Sequence, residues 1–184
     1  ENLRRMVEAG ASDAVLETSS HGLELHRVTG VEYASAIFTN LTRDHLDIHG
    51  DMETYFQVKR QLFERTEGPR LANVDDDYGR RLAREFPGSL TFGYSSEADY
   101  QIVEPTDLTL EGMQFTLRTP GHGELRLEPP LVGDYNALNV AGAVAVALES
   151  GHDSLAVVEA VKHLGQVPGR FQRIPEAAEH GFMA

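Results

Sequence analysis

The sequence predicts an α/β domain built on a doubly wound, mostly parallel sheet, with a small antiparallel β subdomain. Three observations carry that prediction. Strand-length apolar runs alternate with helical patterns as far as residue 94, short alternating runs broken by Gly and Pro fill 100–130, and an alanine- and valine-rich helical pattern follows. With 184 residues, 41% of them hydrophobic, the chain is long enough for one full core and short for three domains.

In chain order, residues 2–10 read as the end of a helix stopped at Gly10. Residues 13–18 (DAVLET) read as a buried strand that gives way to a loop at Ser19 and Ser20. The run at 34–40 (ASAIFTN) is a second strand, so 41–50 (LTRDHLDIHG) becomes a loop at a strand end, where open α/β sheets take their ligands. Asp51 is placed to cap a helix running to about Glu64, followed by a strand at 71–74, a helix at 77–85 and a strand at 90–94. The stretch from Tyr100 to Pro130 (QIVE, LTLEG, MQFTLRT, GELRLE) reads as an antiparallel sheet, a subdomain or flap within the same domain. Residues 135–148 are predicted to form a helix packed closely on the sheet, and 154–164 a last helix.

The net charge of −13, with no long basic run, opposes a nucleic-acid backbone or an anionic membrane surface as partner and leaves small molecules. No cysteine, no long apolar run and no signal-like start is found, so a cytoplasmic protein without membrane insertion is expected.

Several residues depart from ordinary patterning. In the helix that starts at Asp51, the apolar stripe runs through Met52, Tyr55, Phe56, Leu62 and Phe63, and the position completing it is Lys59. Either the lysine stem lies along the apolar surface with its ammonium in water, or the amine is desolvated, loses its proton and can react with carbon dioxide to give an anionic carbamate. The loop at 43–49 gathers Asp44, His45, Asp47 and His49, which are ligand types for a divalent cation, although the same side chains could cap the next helix. Glu17, at the carboxyl end of an apolar run, is placed either to hold magnesium on nucleotide phosphates or as an ordinary strand-end acid. Asn136 and Asn139 lie one turn apart and could meet an adenine edge, with capping by Asp134 as the alternative. Gly169-Arg170 after Pro168 reads as a hinge bearing a cation or as a solvated turn.

Taken together, the blocks ETSSHGL at 17–23 with Arg27, FTNLTRDHLD at 38–47 and HGDM at 49–52 resemble the Mur ligase family, in particular its tripeptide-synthetase branch, over about 13–171. The resemblance implies that Glu17 and His45 bind magnesium and that Lys59, fourteen residues after His45, is carbamylated. By the same resemblance Ser19, Ser20 and Arg27 contact the muramoyl dipeptide, Asn136 and Asn139 lie at the adenine, and Arg170 lies near the phosphates. The implied cofactors are ATP, two Mg2+ ions and the carbamate on Lys59. The implied substrates are a UDP-muramoyl dipeptide and a diamino acid, lysine or diaminopimelate, and the implied state is a monomer. Residues 1–171 would form the central ATP-binding domain, incomplete at its amino terminus, and 172–184 would begin a connection to a further domain.

The chain also departs from the family. Thr18 stands where valine is frequent, and no GxxxxGKS or GxxxxGKT sequence occurs in the chain, so these residues alone are not expected to turn over substrate. Three rival readings are a related folylpolyglutamate- or cyanophycin-type ligase, a non-catalytic binding module of the same descent, and a metal-dependent hydrolase built on Asp44, His45, Asp47 and His49.

Overall fold

The computed structural model describes residues 2–43, 49–109 and 112–165, with backbone alone for 104–106. Expectations for Asp44, His45, Asp47, Arg170 and the segment 172–184 fall outside the described residues.

Among the described residues, six strands form one sheet in the order β1-β2-β3-β4-β5-β6. β1 (Ala36–Phe38), β2 (Arg70–Asn73), β3 (Leu90–Gly93) and β4 (Tyr100–Leu108) run parallel, and β5 (Met113–Thr119) and β6 (Gly123–Leu127) continue the sheet antiparallel. The antiparallel strands expected from the alternating runs therefore grow from the parallel sheet through β4. β3 and β4 pair only through Phe92–Tyr100 and Gly93–Gln101. The Asp99 carboxylate extends this short ladder by accepting from the Thr91 backbone N–H at 2.8 Å and the Thr91 hydroxyl at 2.7 Å.

Side chains alternate across the sheet, and helices cover both faces. On one face, α3 (Met52–Glu64) and α4 (Asp77–Glu85) pack Tyr55, Phe56, Phe63 and Leu82 against Ala36, Phe38 and Ala72. On the other, α5 (Asp134–Glu149) and α6 (Ser154–Lys162) cover Leu71, Phe92, Ile102, Leu117 and Leu127. α5 lies so close that a Cβ on Gly142 would meet Ile37 Cδ1 at 2.5 Å. α3 starts at the predicted cap, with Asp51 Oδ1 accepting from Thr54 N–H at 2.7 Å.

The amino-terminal stretch differs from expectation. After α1 (Asn2–Glu8), residues 13–18 join no strand, and Val15 is 99% exposed. A buried parallel strand needs a ladder on at least one side, and none of the described strands pairs with this segment. Beyond it, where the sequence predicts a loop at Ser19 and Ser20, lies a short helix, α2 (Ser20–Glu24). A second correction concerns α5: its N-cap is Gly133, at φ 99°, with no side-chain cap, and Asp134 is already helical. Among the described residues no helix is long and apolar enough to cross a membrane.

Candidate functional site

The carboxyl ends of the parallel strands are braced by a run of polar residues after β2. Asn73, 4% exposed, donates from Nδ2 to the Thr39 carbonyl at 2.7 Å and accepts from Asp75 N–H on Oδ1 at 2.9 Å. Asp76 accepts from Leu41 N–H at 3.2 Å while capping α4 through Gly79 N–H at 2.9 Å. Asp75 takes the Tyr94 and Ser95 N–H groups at 2.7 and 3.1 Å. The loop leaving β1, which leads to His45, is thus held to the end of β2. Sequence reasoning missed these braces. Only Asp76 left a signal, as the polar residue just before a predicted helix.

Against this edge stands α3, on which α2 packs. Lys59 lies half-buried on α3, 6.0 Å above the Tyr55 ring. Burial pulls its pKa below the ordinary lysine range, and the negative charge of Glu17 opposes that fall. Glu17 and Lys59, far apart in sequence, are thus coupled electrostatically. Burial enlarges the neutral amine fraction, the form that attacks carbon dioxide, and Glu17, whose charge acts on Lys59, is exposed and carries a hard oxygen donor. That pair suits a carbamate and a hard cation. Among the described residues no cluster of three or more His, Asp or Glu completes a metal site by itself.

The serines divide into two roles. Ser19 is exposed and caps α2 by accepting from Gly22 N–H at 3.1 Å. Ser20 is 2% exposed, and its hydroxyl is bonded to His49 Nε2 at 2.9 Å. His49 is thereby turned inward, 5% exposed and stacked on Tyr55 with ring centroids 4.7 Å apart. This removes one member of the four-residue set that a hydrolase would have needed at the surface. Arg27 is exposed beyond α2.

At the start of α5, Asn136 donates to the Val132 carbonyl at 2.8 Å, and Asn139 donates to Asn136 Oδ1 at 3.4 Å. The two amides share a face as expected. Asn136 is half-buried and occupied, whereas Asn139 is exposed.

A model of the Mur ligase middle domain matches residues 1–147. The chain belongs to this family. Among its Mur ligase relatives, the UDP-N-acetylmuramoyl-L-alanyl-D-glutamate–2,6-diaminopimelate ligase of Gloeobacter violaceus is 43% identical over 176 residues, covering 94% of this chain and 35% of the relative. The ligase of the same name from Solibacter usitatus is 40% identical, covering 93% of this chain and 35% of the relative. A solved structure of such a ligase superposes with a TM-score of 0.83 at 35% identity, over 94% of this chain and 36% of that one. The chain thus spans about a third of the length of the curated relatives it matches. Both the Mur ligase family and the α/β fold expected from the sequence are found.

Proposed function

We propose that this chain is the ATP-binding part of a ligase that adds a diamino acid as third residue to UDP-N-acetylmuramoyl-L-alanyl-D-glutamate, in cytoplasmic assembly of the peptidoglycan precursor. The observation that carries the reading is Lys59, desolvated in the α3 stripe within electrostatic reach of Glu17, in a chain 43% identical to such a ligase. Diaminopimelate, named for the relatives, is the amino acid to test first.

In this reaction the free carboxylate of the muramoyl dipeptide attacks the γ-phosphorus of ATP, and ADP leaves. The amine of the diamino acid then attacks the acyl phosphate carbonyl, a proton is released and phosphate departs. No protein nucleophile is needed. The protein brings anions together and offsets their charge. Glu17, His45 and carbamylated Lys59 are the residues to hold magnesium, which when bound neutralises the transferring phosphoryl group. Neutral Lys59 gains its carbamate by adding carbon dioxide and releasing a proton, which replaces a repelling ammonium by an anionic oxygen donor. Ser19 and Arg27, exposed around α2, are the groups to meet the muramoyl dipeptide. Asn139 offers its amide to the adenine, with Asn136 orienting it and Arg170 near the phosphates.

The test is phosphate release by the intact enzyme carrying this chain. Release that requires ATP, magnesium, the muramoyl dipeptide and diaminopimelate together is expected, and a lower magnesium response in His45→Ala. Release without the dipeptide or the diamino acid would contradict the reading. The 184 residues alone, which contain no phosphate-loop sequence, are expected to release none.

A further inference from the structure

His49 is used by no step of that reaction, yet its side chain is fully enclosed, with an exposure of 0%. Its imidazole touches two elements at once. Nε2 meets the Ser20 hydroxyl at 2.9 Å, and the ring stacks on Tyr55 of α3 at an interplanar angle of 4°. Nδ1 has no hydrogen-bond partner among the described residues, and the Glu24 carboxylate at the end of α2 stands 3.7 Å away. A proton on Nδ1 faces that carboxylate favourably, which leaves Nε2 to accept the hydrogen bond from Ser20.

The geometry points to His49 as a positioning residue for the muramoyl dipeptide. It acts through Ser20, fixing the Ser19-capped start of α2 against the helix that carries Lys59. Ser20 and Ser19 are neighbours, so holding the Ser20 hydroxyl sets where the exposed Ser19 and the chain leading to Arg27 stand relative to α3. Ser20 has a buried hydroxyl spent on His49, so its contribution to substrate binding is indirect. This role rests on the proposed ligase reading, because it needs the α2 turn to be where the dipeptide binds.

The test compares His49→Phe, which keeps a ring to stack on Tyr55 but cannot accept from Ser20, with His49→Gln, whose amide reaches the Nε2 position. Steady-state kinetics of the intact enzyme are read alongside thermal melting. His49→Phe is expected to raise KM for the muramoyl dipeptide about tenfold or more, as for a buried hydroxyl left unpaired, with KM for ATP and kcat unchanged. His49→Gln is expected to bring the dipeptide KM back toward the unsubstituted value, and Ser20→Ala to shift the same constant as His49→Phe if the phenylalanine variant does not fold. An unchanged dipeptide KM in folded His49→Phe or in Ser20→Ala overturns the proposal and leaves the ligase reading intact. Equal changes in kcat and both KM values, without rescue by glutamine, also overturn it, as the mark of a merely structural histidine. Absence of dipeptide turnover in the unsubstituted enzyme overturns the ligase reading itself and the positioning role with it.

Discussion

The β1–β2 half and the antiparallel half of the sheet use their buried volume differently. Among the described residues, four of the five buried polar side chains, Ser20, His49, Thr66 and Asn73, belong to the half that carries α2, α3 and the ends of β1 and β2, and only Thr119 to the antiparallel half. Around β4, β5 and β6 the interior is Ile102, Phe115, Leu117, Leu125 and Leu127 packed under α5 and α6. The apolar half gains its stability from non-directional burial, which tolerates small shifts. The polar half depends on bonds of fixed direction, because each unmade one leaves a desolvated group behind. Chemistry needs fixed directions, and the candidate site lies on the polar half.

Substitutions can break or sharpen that contrast. The largest stability loss is expected from Leu117→Ala, at 0% exposure in the centre of the apolar half, with about 2–5 kcal/mol lost in denaturant melts of the chain. The Glu17 and Lys59 site should stay intact. Asn73→Ala is expected to cost less, about 1–3 kcal/mol by the same melts, by freeing the Thr39 carbonyl and the Asp75 N–H. Its effect should concentrate on hydrogen exchange of the loop after β1. A loss from Asn73→Ala as large as that from Leu117→Ala, spread over the whole sheet, would remove the distinction between the halves.

The smallest effect concerns charge. Lys59 has a folded pKa below the ordinary 10.5, so the folded chain binds fewer protons than the unfolded one between those two values. The penalty for burying the ammonium is therefore complete below the folded pKa and relieved as pH rises toward 10.5. Lys59→Met is expected to melt above the unsubstituted chain at neutral pH, with the gap narrowing as the solution is made alkaline. A gap that widens with pH would show that the lysine is stabilised by Glu17 more than it is destabilised by burial.

What the sequence revealed followed the reach of each interaction. α3, its Asp51 cap and the intrusion of Lys59 into the stripe were legible because capping and helical periodicity act within a few residues. α4 appeared at its observed bounds for the same reason. The 13–18 segment was misread because an apolar run states only that burial is favourable, not which strand is available to pair. The Ser20–His49 bond joins residues 29 apart and the Asn73–Thr39 bond residues 34 apart, so no local pattern announces either. His49 therefore read as a metal-type ligand beside His45, and only the fold showed it facing inward. Roles for Glu17 and Lys59 in one site became an expectation only through the family blocks, because the two residues lie too far apart in sequence for any local pattern to link them.

The account depends most on Lys59 acting as an anionic oxygen donor rather than as a cation. The direct measurement is phosphate release by the intact enzyme carrying Lys59→Ala, with and without a small carboxylate such as formate in the buffer. The account predicts that activity is abolished and that the added carboxylate restores part of it by filling the place of the carbamate. Full activity in the variant without formate would contradict the account.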